Sequence, residues 1–99
     1  MIGKLYFYFP ACGICVDDAF LAYKTGIFSS DNECQINHEL ALVGYGKDQA
    51  TGEEYWVGRN SWGTYWGEQG FFKIRMHGNN NRIEEACRWG LPGKVEWQK

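Results

Sequence analysis

The feature that most constrains this chain is the segment of residues 60–70, which reads Asn-Ser-Trp-Gly-Thr-Tyr-Trp-Gly-Glu-Gln-Gly. It directly follows a short aromatic and apolar stretch that has the composition of a β-strand. Glycines at positions 63, 67 and 70 suit a tight loop, because glycine adopts backbone angles that other residues rarely take. The segment therefore predicts a compact, tryptophan-rich loop at the end of a strand.

Hydrophobic periodicity around this loop predicts an α+β fold with a mostly antiparallel sheet of three or four strands. The predicted strands cover residues 11–16, 40–45, 54–60 and 72–76. In the last strand, alternation places Phe72, Ile74 and Met76 inward. Lys73 and Arg75 are then expected to face water. The nearly unbroken apolar run at 40–45 suits a strand that is covered on both faces.

One short helix is predicted near the amino-terminal end. Either Asp17 or Asp18 can supply its N-cap, and the apolar spacing that follows predicts a helix over residues 18–23, closed near Gly26. A polar hairpin loop is expected between the second and third predicted strands, at residues 48–52.

Composition bears on domains and partners. Residues 1–10 are predicted to be an atypical leader before a single domain at 11–99. This leader is not predicted to be a secretory signal, because the apolar run before Pro10 is only five residues long, against roughly 7–15 in such a signal. A net charge of -2 gives no reason to expect nucleic acid or an anionic membrane as a partner. No run approaches the ~20 apolar residues of a membrane span, which predicts a soluble or partner-bound chain.

His38 and Asn60 are the candidate functional pair. Period two puts His38 on the strand face of Leu40, and Asn60 closes a neighbouring strand, so the two side chains can meet. An amide oxygen that accepts from one ring N–H orients the imidazole and leaves its other nitrogen free to exchange a proton. Trp62 could then exclude water from this contact, with Trp66 at the edge of the same cleft.

Each of these features has a structural interpretation when taken alone. A histidine beside an apolar run is more often a structural residue, and a loop rich in tryptophan and glycine more often serves packing. Their order along the chain favours a site, and that order resembles the C-terminal half of papain-like cysteine peptidases. The resemblance is carried by residues 37–38, 43–46, 55–56, 59–63, 66–68 and 70–71. Residues 11–14 and 83–87 are most similar to the cathepsin Z (or X) branch.

The resemblance implies both a fold and residue roles. The fold is the sheet-rich right lobe of a two-lobed enzyme, an antiparallel sheet or partial barrel, without the helical left lobe. His38 would be the general acid and base, Asn60 its orienter, Trp62 the shield of their hydrogen bond and Trp66 a lining residue on the leaving-group side. Peptide or protein substrate is the implied partner, the implied location is lysosomal, vacuolar or extracellular, and no metal or organic cofactor is implied.

The catalytic nucleophile of this family is expected in a Cys-Gly-Ser-Cys-Trp-like segment, roughly 130–150 residues before the histidine. Only 37 residues precede His38, and the oxyanion-stabilising glutamine has no counterpart either. The chain by itself is therefore expected to be inactive, as a fragment, a truncated product, a misassembled gene model or a catalytically dead interaction module. Gly58, where a larger apolar residue is commoner in the family, predicts looser packing near the site.

The four cysteines, Cys12, Cys15, Cys34 and Cys87, allow three disulfide pairings. By resemblance to the cathepsin Z branch, Cys12 pairs with Cys87, while a bond between Cys15 and Cys34 stays open. A zinc-binding module could instead use Cys12, Cys15, Cys34 and His38, and Cys-x-x-Cys also occurs in thiol redox motifs. Both alternatives are disfavoured, because positions i and i+3 of a strand point to opposite faces.

Overall fold

The computed structural model describes residues 4–5, 10–91 and 94–98, with side chains described over 10–88. In chain order the elements are β1 (Lys4–Leu5), β2 (Pro10–Ile14), α1 (Asp18–Leu21), β3 (Ile27–Phe28), β4 (His38–Lys47), β5 (Glu54–Arg59), β6 (Phe71–Arg75), a short 3-10 helix (Asn80–Arg82), β7 (Cys87–Leu91) and β8 (Lys94–Gln98). The described chain is thus mostly sheet with very little helix, as predicted. None of its helices is long and apolar enough to span a membrane.

All the strands belong to one sheet, in the order β3-β6-β5-β4-β2-β7-β8, with β1 paired to β4. Every pairing is antiparallel except that of β3 with β6. The prediction of three or four strands is wrong, since the described residues form eight. The strands that were missed include β1 and β3, which have two residues each. Such short segments become strands only through their hydrogen-bonded neighbours, which local periodicity does not reveal.

The four predicted strands are present as β2, β4, β5 and β6, with shifted ends. Phe72 and Ile74 are fully buried, as predicted, whereas Met76 is only half-buried because β6 ends before it. Of the two side chains expected to face water, Arg75 is exposed and Lys73 is half-buried, with its ammonium 5.6 Å from the ring centroid of Tyr55. The alternation therefore predicted the core face correctly.

The helix is shorter than predicted and ends at Leu21. Asp17 is its N-cap, and the Oδ1 atom accepts from the backbone N–H of Phe20 at 2.9 Å. Past the helix, the hydroxyl of Tyr23 donates to the carbonyl of Gly26 at 2.6 Å and accepts from the backbone N–H of Lys73 at 3.2 Å. These tertiary hydrogen bonds hold residues 23–26 as a turn against β6.

The central strand β4 contributes to a core on each face of the sheet. Leu40 and Leu42 belong to the larger core, and Val43 belongs to a smaller one with Tyr55 and Val57. A register irregularity between Leu42 and Gly44 marks the change of face. The prediction of a strand covered on both faces is confirmed. Full burial of such a side chain contributes roughly 1.5–3 kcal/mol.

The hairpin predicted at residues 48–52 joins β4 to β5. The backbone N–H of Asp48 donates to the carbonyl of Glu53 at 2.8 Å, and Oδ2 of Asp48 accepts from the backbone N–H of Thr51 at 3.0 Å. Of the predicted leader at 1–10, residues 1–3 and 6–9 lie outside the described part of the chain. The domain boundary at residue 11 stays a prediction.

The packing at Gly58 is tight, which corrects the expectation of looseness. Gly58 lies opposite Phe72 in the pairing of β5 with β6. A Cβ atom added to Gly58 would lie 2.2 Å from Cζ of the Phe72 ring, and that ring is fully buried. The aromatic ring therefore fills the space that a larger residue at position 58 would occupy.

We expect Gly58→Ala to lower the free energy of unfolding by about 1–3 kcal/mol, the usual range for overpacking a core. Denaturant unfolding of the parent, of Gly58→Ala, of Phe72→Leu and of the double variant measures this effect. The double variant should be less destabilised than the sum of the single variants, because the smaller side chain relieves the clash. Full stability of Gly58→Ala would contradict the packing argument.

A half-buried carboxylate organises the loop that follows β6. Glu84 accepts from the indole N–H of Trp56 at 2.8 Å, from the backbone N–H of His77 at 2.7 Å and from that of Asn79 at 2.9 Å. Burial alone would raise the pKa of Glu84, but these hydrogen bonds outweigh burial and lower it. His77 and Asn79 have positive φ angles, of 75° and 51°. Glu84 thus holds a left-handed stretch of backbone against β5.

Because folding lowers the pKa of Glu84, its carboxylate stabilises the fold above the unfolded pKa of about 4.3. That stabilisation is lost as the pH falls through the lower folded-state value. Glu84→Gln should therefore reduce the free energy of unfolding at pH 7 by about 1–3 kcal/mol and flatten its decline in acid. Denaturant titrations at neutral and acid pH measure both effects, with Glu53→Gln as the surface control. An acid slope equal to that of the parent would refute this role.

Candidate active site

His38 is the first residue of β4, and the chain just before it is held by Asn37. The Oδ1 atom of Asn37 accepts from the backbone N–H of Val16 at 2.8 Å, and its Nδ2 donates to the carbonyl of Val16 at 3.3 Å. The backbone N–H of Asn37 also donates to the carbonyl of Ile14 at 3.1 Å. In the sequence, Asn37 is recognisable only as part of a motif. Its hydrogen bonds that fix the start of β4 depend on Val16, which lies 21 residues away in the sequence.

Asn60 follows β5 and meets His38 as predicted. The Nε2 atom of His38 lies 2.9 Å from Oδ1 of Asn60. Asn60 is only 7% exposed, and its backbone N–H donates to the carbonyl of Gly70 at 2.9 Å. The two side chains therefore form a hydrogen bond of ordinary length in a partly buried position.

A third contact decides which ring nitrogen carries the proton. The backbone N–H of Ser61 donates to the same Oδ1 atom of Asn60, at 2.8 Å. Since a backbone N–H requires an acceptor, the amide oxygen must point toward Ser61, and Nε2 of His38 must then donate to it. In the neutral imidazole, the Nδ1 atom is then left with a free lone pair. This role of Ser61 has no side-chain signal in the sequence, because the contact is made by its backbone.

Trp62 covers the imidazole of His38, and Trp66 packs against Trp62. The ring of Trp62 stacks on the imidazole of His38 with centroids 5.0 Å apart and planes 26° apart. Trp66 meets Trp62 edge-on at 5.2 Å and 86°. Both indoles are half-buried. A hydrogen bond that is shielded from water in this way is stronger electrostatically.

The loop between Asn60 and β6 needs glycine where the sequence has it. Gly67 has a φ of 62°, and a Cβ atom there would lie 2.6 Å from the carbonyl oxygen of Phe71. Gly70 has a φ of 92°, and its backbone N–H donates to the carbonyl of Trp66 at 2.8 Å. The loop is thereby folded tightly enough to bring Trp66 onto Trp62.

The four cysteines form two disulfides, Cys12–Cys87 and Cys15–Cys34. The first confirms the pairing that the resemblance implied, and the second settles the pairing that was left open. Cys12 and Cys87 lie directly opposite each other where β2 pairs with β7. Both bonds consume the sulfur atoms that the zinc-binding and thiol-redox hypotheses require, so neither hypothesis fits this structure. Among the described residues, no group of three or more His, Cys, Asp or Glu side chains could hold a metal ion.

Comparison with known proteins agrees with this arrangement. Residues 10–90 match the family model described as papain family cysteine protease. The chain is 40% identical over 100 residues to cathepsin Z of Onchocerca volvulus, which covers 93% of this chain. It is 46% identical over 68 residues to vignain of Vigna mungo, which covers 69% of this chain. The chain belongs to the papain family of cysteine proteases.

Solved structures give the same result. Procathepsin L 3 of the Tenebrio molitor larval midgut superposes on 94% of this chain with a TM-score of 0.74 and 32% identity. Bromelain from Ananas comosus, in complex with the E64 inhibitor, covers 74% of it with a TM-score of 0.68 and 30% identity. The chain spans only 33% of the cathepsin Z, 18% of the vignain, 29% of the procathepsin and 34% of the bromelain chain. It therefore corresponds to about a third or less of each relative.

The assigned tautomer predicts an observable proton. The Nε2–H of His38 should give a slowly exchanging proton–nitrogen NMR signal at neutral pH, because it is bonded to Asn60 and covered by Trp62. Asn60→Ala should abolish that signal by removing the acceptor. His77 serves as the internal reference for an uncovered hydrogen bond, because its ring is exposed while its Nε2 lies 2.9 Å from Oε1 of Glu54. A signal that persists unchanged in Asn60→Ala would refute the assignment.

Proposed function

We propose that this chain supplies the histidine and the asparagine of a Cys-His-Asn site for thiol-dependent hydrolysis of peptide bonds. The observation that supports it best is the 2.9 Å contact between His38 and Asn60, with Trp62 stacked on the imidazole. An oriented, shielded imidazole with one free nitrogen is what a general acid and base requires. Trp66, at the edge of this pair, lines the leaving-group side in this proposal.

The nucleophile must come from another polypeptide segment. A cysteine attacks as its thiolate, and all four cysteines of the sequence are in disulfides. None of them is a free thiol. This supports a site that is completed by a cysteine-bearing lobe, with His38 and Asn60 contributed from the sheet. It also supports the proposal that the isolated chain has no peptidase activity.

In the complete site, Nδ1 of His38 takes the proton of the cysteine thiol, and the thiolate attacks the carbonyl carbon of the scissile peptide bond. The imidazolium is held by its Nε2–H bond to Asn60 and returns the proton to the leaving amine, which departs and leaves a thioester. Water then attacks the thioester with Nδ1 as the base. The carboxylic acid is released and the thiol is regenerated.

Substrate and location follow from the same proposal. The partner is a peptide or protein substrate, and nucleic acid, membrane and cofactor have no part in it. The two disulfides favour an oxidising compartment. The surroundings proposed for this chain are accordingly lysosomal, vacuolar or extracellular.

A second candidate is an interaction module without catalysis. Leu21 is 50% exposed and Tyr65 is fully exposed, while the indole N–H of Trp66 donates to the carbonyl of Leu21 at 3.0 Å. Apolar side chains are thus exposed around Trp66, and exposed apolar patches often mark partner sites. In this alternative the face binds a partner but no peptide bond is cleaved.

Complementation separates the two candidates. The chain is refolded with a papain-type segment that carries the Cys-Gly-Ser-Cys-Trp motif, and hydrolysis of a fluorogenic peptide is followed with and without iodoacetamide. We expect no hydrolysis by the chain alone, and iodoacetamide-sensitive hydrolysis by the complex. His38→Ala should lower that activity by roughly 10³-fold or more, because the members of such a unit act together.

The matched control is His77→Ala, which alters the second histidine, on the loop after β6, and should leave the activity unchanged. A stable complex without turnover would favour the interaction module. Equal activity of His38→Ala and the parent complex would refute the proposed role of His38.

A further inference from the structure

The tryptophan loop is anchored to the turn after α1 by one carboxylate. Oε2 of Glu68 accepts from the hydroxyl of Thr25 at 2.6 Å and from the backbone N–H of Gly26 at 3.1 Å. Its Oε1 lies 3.8 Å from the ammonium of Lys73. Thr25 and Gly26 precede Glu68 by more than 40 positions in the sequence. The contact is therefore a long-range one that joins two separate loops.

A second anchor runs between the same two parts of the chain. The indole N–H of Trp66 donates to the carbonyl of Leu21, the last residue of α1, at 3.0 Å. The rings of Tyr23 and Trp66 also contact each other, with centroids 5.6 Å apart. The position of Trp66 is thus set by α1 and its following turn, and Glu68, two residues further on, secures the loop to that turn.

From Trp66 the contacts lead to the imidazole. Trp66 meets Trp62 edge-on at 5.2 Å, and Trp62 stacks on His38 at 5.0 Å. A displacement of the loop would move Trp66 first, then Trp62, and then remove the cover from the hydrogen bond between His38 and Asn60. Packed rings transmit such shifts because a protein interior has few voids to absorb them.

We propose that Glu68 is a positioning residue for the His38–Asn60 pair: its carboxylate clamps the tryptophan loop to the turn after α1, so that Trp66 and Trp62 hold and cover the imidazole. This role rests on the proposed function, which assigns catalysis to the His38–Asn60 pair. The contacts that Glu68 makes with Thr25, Gly26 and Lys73 do not depend on that function.

The chemistry of the clamp suits a carboxylate. Hydrogen bonds to an ionised acceptor are roughly twice as strong as those between neutral groups. Burial raises the pKa of Glu68, but the hydrogen bonds from Thr25 and Gly26 and the charge of Lys73 outweigh burial and lower it. The group is therefore ionised at neutral pH, where the clamp is at full strength. A glutamine at this position would keep one acceptor oxygen but lose the charge.

The test is NMR on the full chain. Trp62 shields the protons of the His38 ring by its ring current, so their chemical shifts report whether the indole stays in place. In Glu68→Ala these shifts should move toward those of the exposed His77, and the indole N–H of Trp66 should exchange roughly tenfold faster. Glu68→Gln should restore most of both signals. Glu53→Ala, which removes a surface carboxylate 3.6 Å from Arg75, should change neither.

Thr25→Val keeps the side-chain shape and removes one donor of the clamp, so it decides the question if Glu68→Ala does not fold. Circular dichroism establishes folding for every variant. If Glu68→Ala folds and its His38 chemical shifts are unchanged, the proposal is overturned. If Glu68→Ala does not fold, unchanged His38 shifts in Thr25→Val overturn it. Changes spread evenly over the sheet would also overturn it, because they report general loosening. The NMR measurements do not require peptidase activity. A failure of the complementation experiment would therefore not affect this test of Glu68.

Discussion

The antiparallel pairing of β4 with β2 and β5 is the constraint on which the remainder of the structure depends. His38 opens β4 opposite Ile14 of β2, and Arg59 at the end of β5 lies opposite Ala41 of β4. The residue after β5 is Asn60, and this register places it beside His38, the first residue of β4. A slip of one residue would turn His38 to the other face of the sheet and separate it from Asn60. The contact between His38 and Asn60 is thus a consequence of strand register.

Around this pair, orientation is set by backbone groups and rings. The N–H of Ser61 fixes the amide of Asn60, and that amide fixes the proton on Nε2 of His38. Trp62 then covers the imidazole. In the neutral ring the other nitrogen, Nδ1, keeps its lone pair, and such a nitrogen can accept a proton from a neighbouring group. The two disulfides leave no free thiol among the described residues.

Local patterns predicted part of this arrangement and failed elsewhere for physical reasons. Alternation at 72–76 identified the buried Phe72 and Ile74, because period two is a property of a single strand. The two-residue strand β3 was missed, since it exists only through its parallel pairing with β6. The expectation of looseness at Gly58 was wrong, because the space it leaves is filled by Phe72 on the neighbouring strand. The packing of a glycine against a large ring on the neighbouring strand cannot be predicted from the sequence of either strand alone.

By itself, the sequence determined the sheet-rich class, the core strands and the identity of the residues that meet, because these follow from periodicity and from motif order. Only the tertiary structure decided which nitrogen of His38 carries the proton, how Asn37 and Glu68 secure the surrounding loops, and that Cys15 bonds to Cys34. Those outcomes depend on contacts between residues 19 to 45 positions apart. Such contacts exist only after the strands have paired and the chain has closed on itself.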